Sequence, residues 1–222
     1  MPNEFDPKTA IYTPAQVSSY GLRAVERIEK SQGRGVPLGI LRVDDYFAPA
    51  LPGQVVAIIA QTSQYKSGLM HAIEHSLAAK LVKEGRQDEI VVHVSVEESV
   101  EEQAYLEYAR VTGEPSGQIS VGKIQNWDKL RSAATIVSGI PIYRIGDSLA
   151  RAEDIPNLYL SNMLRCIDYL IRELLDWTPQ IAAIFFDYLQ AFPIDPEVSA
   201  YGIMDQRRLQ VRSDIYRLRL AA

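Results

Sequence analysis

The sequence predicts an α/β fold built on a mainly parallel sheet flanked by helices. Two apolar runs carry that prediction, residues 55–60 (VVAIIA) and 181–186 (IAAIFF). Both have strand length and neither shows the apolar–polar alternation of a strand wetted on one side, so each needs cover on both faces. Residues 90–96 (IVVHVSV) form another strand, and a shorter one is expected over 141–145. Helical periods separate these runs, and strands joined by helices long enough to cross over pair in parallel.

The elements follow in order. Residues 1–17 are polar, carry Pro2, Pro7 and Pro14, and read as an arm. A helical pattern covers 20–30, and a Gly- and Pro-punctuated loop runs from 32 to 52. After the first strand, Leu69, Ile73, Leu77 and Leu81 recur every four residues, one stripe of a helix ending near Gly85. Ser99 and Glu102 have capping-box spacing and open a helix that runs to about Thr112, with Gly113 as its stop. Leu160, Met163, Ile167, Leu170 and Leu174 belong to a further helical stripe, and a last helix covers 204–220. Trp127 and Trp177 read as core anchors at helix edges, Cys166 as a small buried hydrophobe and His93 as a satisfied buried histidine.

Composition narrows the function. The 222 residues include 23 basic and 28 acidic side chains, a net charge of −5, which excludes a wholly basic nucleic-acid coat but not a local basic stripe. A single cysteine cannot close an internal disulfide, so a reducing, cytoplasmic setting is expected. No apolar run is long enough to span a bilayer, and the polar, acidic start is unlike a signal peptide.

Ligands of parallel sheets bind beyond the carboxyl ends of the strands. The first strand leads into Ala60, Gln61, Thr62, Ser63, Gln64, Tyr65, Lys66 and Ser67, then a helix, which is the layout of a phosphate-binding loop. In that chemistry backbone N–H groups and the helix N-terminus hold phosphates, a lysine neutralises them, and a hydroxyl coordinates Mg2+. Lys66 and Ser67 stand where that chemistry needs them. Glycine is expected at Ala60 and Tyr65, and the tyrosine is the graver departure because glycine there permits unusual φ/ψ and close approach of backbone to phosphate. Glu97 ends the second strand, where a carboxylate can deprotonate attacking water. Asp187 ends the strand over 181–186, where a carboxylate can hold Mg2+, often through water.

These residues and their neighbours resemble the RecA-like ATPase domain of DnaB-type replicative helicases. Phe186-Asp-Tyr-Leu-Gln190 resembles that family's Asp-Tyr-Leu-Gln signature, and Val94-Ser-Val-Glu-Glu-Ser99 its Phe-Ser-Leu-Glu-Met-Ser. Gly35-Val-Pro-Leu-Gly-Ile-Leu-Arg-Val-Asp44 with Leu51-Pro-Gly53, and Pro141-Ile-Tyr with Asp147, are similar to further family segments. Ala60 also fits, since the family's loop commonly begins with alanine. The resemblance spans about residues 36–220 and implies residues 1–34 as an N-terminal arm and linker helix, and 35–222 as a partial RecA-like P-loop NTPase core. It implies ATP and Mg2+ as cofactors, Glu97 as catalytic base, residues 60–67 as the nucleotide loop, and Ser67 and Asp187 as Mg2+ ligands. It further implies a homo-oligomeric ring whose neighbouring subunit supplies an arginine finger, and single-stranded DNA as a partner. The family's arginine on the helix after the glutamate is Leu106 here, with Arg110 one turn later. The family continues past the position of Ala222 into strands that complete catalysis and grip DNA, so the sequence reads as part of a motor. The competing reading, drawn from Tyr65, is a degenerate scaffold or helicase-associated regulator without ATPase activity.

Two other patterns compete. His71-Ala-Ile-Glu74-His75 has the His-x-x-Glu-His spacing of inverted zinc peptidases, and Glu153 could supply a further carboxylate. The Leu69/Ile73/Leu77 stripe instead explains this helix as core packing, with its histidines on the other face, solvated or touching a neighbour. The last helix carries Arg207, Arg208, Arg212, Arg217 and Arg219, without the interleaved aromatic platform of a single-strand binder, and reads as an amphipathic surface helix.

Overall fold

The computed structural model describes residues 12–30, 35–51, 53–61, 64–148, 160–175 and 180–187. Its centre is a three-stranded parallel sheet in the order β2-β1-β3, formed by β1 (Glu89–Ser95), β2 (Ile142–Ile145) and β3 (Gln180–Asp187). β1 is buried along nearly its whole length, as a strand covered on both faces must be.

Alternation along β1 divides the core. Ile90, Val92 and Val94 pack with Met163, Ile167 and Leu170 of the helical segment that comprises α7 (Leu160–Tyr169) and a π-helical turn (Leu170–Leu174). Val91 turns the other way, onto Leu77, Ala78 and Leu81 of α3 (Lys66–Lys83). His93 and Ser95 share that second face by the period of two. β3 contributes to both sides, with Ile184 and Phe186 toward the first cluster and Ala183 and Phe185 toward the second.

The local signals explain the boundaries. α3 stops where Gly85 takes φ 68°, its N–H bonding to Val82 O while Arg86 N–H reaches Leu81 O. α4 (Val100–Thr112) opens with the expected capping box, Ser99 Oγ accepting from Glu102 N–H and the Glu102 carboxylate from Ser99 N–H, and closes at Gly113 with φ 74°. α5 (Ser116–Ser120) and α6 (Trp127–Ser138) follow, and both pack on or beside α4.

Several expectations are corrected. Residues 55–60 are not a strand: they join no ladder, and Val55, Val56 and Ile59 are exposed by 42%, 58% and 92%. Strand-forming residues do not make a strand without a partner, and none of the described strands pairs with this run. α1 (Pro14–Lys30) begins inside the expected arm, because Thr13 and Gln16 form a reciprocal cap and Pro14 occupies the first helical position. The loop over 32–52 contains a short helix, α2 (Leu41–Asp44), and a bridge between Val36 and Ala50. Trp127 is 54% exposed at the start of α6, so it anchors no core. Cys166 is exposed, since Met163, Ile167 and Leu170 define the buried stripe and Cys166 falls beside it. Trp177 and the helix expected over 204–220 lie outside the described residues. Among the described residues no helix is long and apolar enough to cross a membrane.

Candidate functional site

An open cavity of about 700 Å3 lies where α3 begins and β1 ends. One wall is Ala60, Gln61, Gln64, Tyr65, Lys66 and Ser67, and the facing wall carries Glu97 and Glu98. Leu106 and Arg110 of α4 complete it. The structure thus brings the described part of the predicted loop and the predicted base to one space. Thr62 and Ser63 lie outside the described residues. Asp187 is buried at the end of β3, in register with Ser95, and is not among the cavity's lining residues.

Local chemistry positions each part. Lys66 and Ser67 are the first two residues of α3, so the positive end of that helix meets the loop. Tyr65, immediately before them, is the sole non-glycine described residue with positive φ, at φ 60° and ψ 27°. This left-handed conformation costs a side-chain-bearing residue about 1–2 kcal/mol. The departure noted in the sequence thus falls on the residue whose backbone requires glycine-like freedom. The residue is 86% exposed, and its ring lies beside Gly68, where an added Cβ would collide with Tyr65 Cδ1. On the other wall, Ser95 Oγ accepts hydrogen bonds from Glu97 N–H and Glu98 N–H, which fixes the turn that presents Glu97.

Beneath the cavity His71 and Glu74 of the His-x-x-Glu-His pattern join His93, Arg144 and Glu107 in a group whose assembly the sequence did not announce. Glu74, fully buried in α3, bonds to His93 Nδ1 at 2.7 Å and lies 3.5 Å from His71 Nδ1 and 3.4 Å from Arg144 Nη1. The imidazoles of His71 and His93 stack with centroids 5.0 Å apart. Arg144 also donates to Gln103 Oε1 at 2.8 Å and Glu107 Oε1 at 2.5 Å, and Glu107 in turn pairs with His75 at 2.6 Å. His71 and His75 therefore diverge, one to Glu74 and Glu98, the other to Glu107, so of the two expected states each histidine takes the one that touches a neighbour. Glu153, the carboxylate nominated for them, lies outside the described residues. His93 is a satisfied buried histidine on one nitrogen, as expected, through a partner in α3.

Electrostatics follow from this packing. Burial works to raise the Glu74 carboxyl, but the bonds from His71 and His93 and the Arg144 charge outweigh it and hold Glu74 far below the usual carboxylate range. Burial likewise works to lower His71, yet Glu74 and Glu98 prevail and push it up to about 9. Glu98 is lowered chiefly by His71. Since His71 is raised above its unfolded value, the stability it contributes is complete below about pH 6.5 and lost as pH rises through about 9. Urea unfolding in EDTA should therefore show stability falling by on the order of 2–3 kcal/mol across that window, and His71→Gln should flatten the slope. A wild-type profile already flat across that window would refute the assignment.

No family model matches the chain, and no curated protein sequence does. Solved structures do. One of them, an ATPase domain, superposes with a TM-score of 0.67 at 16% identity, covering 94% of this chain and 68% of that one. A DnaB-like replicative helicase, solved in a study of its interactions with primase, superposes with a TM-score of 0.62 at 17% identity. That match covers 89% of this chain and 45% of the other, so this chain spans less than half of that helicase's length. Identities this low carry architecture alone, and the architecture they establish is the RecA-like P-loop NTPase fold of helicase ATPase domains.

Proposed function

We propose that this chain is the ATPase core of a ring-forming, DNA-translocating motor of the DnaB helicase type, with residues 1–34 as arm and linker and 35–222 as part of the core. The observation that carries the reading is the cavity in which Lys66 and Ser67, at a helix N-terminus, face Glu97 across the carboxyl end of a parallel sheet. That donor set fits a nucleotide polyphosphate. Lys66 supplies positive charge to the β/γ oxygens, and the first-turn N–H groups of α3 add donors. Glu97 accepts the proton of the attacking water, and its exposure on the cavity wall leaves it able to reach one. Mg2+ would supply charge neutralisation at the phosphates, with Ser67 as its ligand from the loop. Arg110 lines the same cavity and offers the cation that Leu106 cannot.

Ring assembly is supported by α1, where Val17, Tyr20, Val25 and Ile28 are exposed along one helix. Apolar surface of that extent is what a partner subunit covers. Single-stranded DNA follows as the cargo of such a ring.

Calorimetric titration of ATPγS with Mg2+ tests the reading. Binding should be Mg2+-dependent and weakened at least tenfold, about 1.4 kcal/mol, by Lys66→Ala. Binding indifferent to that substitution would end it. The strained Tyr65 favours a second reading, a non-hydrolysing scaffold that keeps the assembly surfaces, for which no nucleotide binding is expected.

A further inference from the structure

The cluster beneath the cavity has a donor set that nucleotide chemistry does not use. His71, Glu74 and His93 each bring one ligand-type atom within 4.8 Å of the others. They come from two elements: the His71–Glu74 half of the local His-x-x-Glu-His pattern on α3, with His93 of β1, added by the packing of helix on sheet, in place of His75. Glu74 and His93 are completely buried, and His71 opens to the cavity with 14% of its side chain exposed.

The group is also incompletely satisfied. His93 Nε2 is buried with neither a hydrogen bond nor an ion pair among the described residues, while His71 Nε2 and Glu98 Oε2 face each other only at 3.6 Å and Glu74 Oε1 faces Arg144 only at 3.4 Å. Buried polar atoms normally have close hydrogen-bond partners, so a cluster with one orphaned imidazole nitrogen and two long ion pairs leaves room for a cation. Two outer groups are placed as metal sites require. Glu98 Oε2 stands 3.6 Å from His71 Nε2, where it can orient the ring, and Arg144 holds the far side of the Glu74 carboxylate.

The geometry points to a divalent transition-metal site, His71–Glu74–His93, that takes Zn2+ and fastens α3 to β1 under the cavity. Two imidazoles and one carboxylate suit Zn2+ and leave a fourth position toward the cavity. Each ligating nitrogen must be unprotonated, so binding releases a proton to solvent as the cation enters. Mg2+ prefers an all-oxygen shell and would not compete. This inference does not rest on the nucleotide reading. A metal here would set the distance between the start of α3 and the Glu97 turn whether or not a nucleotide binds.

The experiment is titration of the metal-stripped full chain with Zn2+ alone, followed by calorimetry and thermal unfolding, with Co2+ as the spectroscopic probe. One Zn2+ per chain, a raised Tm and the visible d–d bands of tetrahedral Co2+ are expected. His71→Gln and His93→Gln should each weaken binding at least tenfold, whereas His75→Gln and Lys66→Ala should leave it unchanged. His71→Cys should keep the Co2+ site and add a thiolate charge-transfer band. If a variant fails to fold, the wild-type Co2+ spectrum decides alone, since octahedral or absent bands overturn the site. Binding that survives His71→Gln, or is lost equally with His75→Gln, also overturns it.

Discussion

Glu74→Ala should destabilise the fold by about 3–5 kcal/mol, the cost of leaving buried charge without its partner. Glu74 has no exposed surface, and it is the one carboxylate of the group that His71, His93 and Arg144 all approach within 3.5 Å. With Glu74 gone, Arg144 keeps Glu107 and Gln103, but His93 loses the carboxylate bonded to its Nδ1. A methyl group in place of the carboxylate also leaves space in a helix packed on β1. Glu74→Gln, which keeps volume and one acceptor, should cost less, about 1–3 kcal/mol. Urea unfolding in EDTA measures both. If Glu74→Ala stays within about 1 kcal/mol of wild type, the group contributes no net stability and the argument fails.

Tyr65→Gly should change stability little and nucleotide affinity much. Glycine relieves the left-handed strain of about 1–2 kcal/mol but adds flexibility to the unfolded chain worth about 0.5–1 kcal/mol, so the net gain is under about 1.5 kcal/mol. Affinity answers to a different quantity, the access of the α3 N-terminus to phosphate. The Tyr65 ring rests beside Gly68 in the first turn of that helix, on the loop wall of the cavity that a phosphate would enter. Removing the ring should raise ATPγS affinity at least tenfold, read by the same calorimetry. An unchanged affinity alongside measurable wild-type binding would mean that the ring does not obstruct the loop. Binding that appears only in Tyr65→Gly would instead mark the natural loop as closed and favour the scaffold.

What was legible in the sequence was local chemistry. Ser99, Glu102 and Gly113 lie within one helix's length, and each acts on its neighbours' backbone, so the bounds of α4 were readable. The same holds for β1, whose apolar run is buried on both faces, and for β3, whose run is half-buried against both clusters. Thr13-Pro14-Ala-Gln16 carried an equally local signal that composition obscured, because three prolines made the segment look like an arm. Residues 55–60 failed for the opposite reason: a strand is a relation between segments, and apolar character cannot name its partner. Glu97 follows β1 as the strand-end rule expects, whereas the loop reaches the same cavity through the start of α3, since the strand expected before it does not form. The charged group was not placed, because Glu74 meets His93 across 19 residues and Arg144 meets Glu107 across 37. Its trace was the odd composition of buried elements: a glutamate beside an apolar stripe, a histidine inside β1 and an arginine inside β2.

That placement bears on how the strands find their alignment. A strand covered on both sides gives up the usual safeguard against slipping, since a shift of one residue merely exchanges one valine for another. β1 is such a strand, with Val91, Val92 and Val94 all fully buried. His93 sits directly opposite Arg144 on β2, and both converge on the single carboxylate of Glu74. Slide β1 by one position and a valine faces that carboxylate; slide β2 and a tyrosine or isoleucine does, while Arg144 is carried to the other side of the sheet. The group thus works as a notch in an otherwise smooth interface. Variants that neutralise it should be judged by the uniqueness of the folded state as well as by its depth.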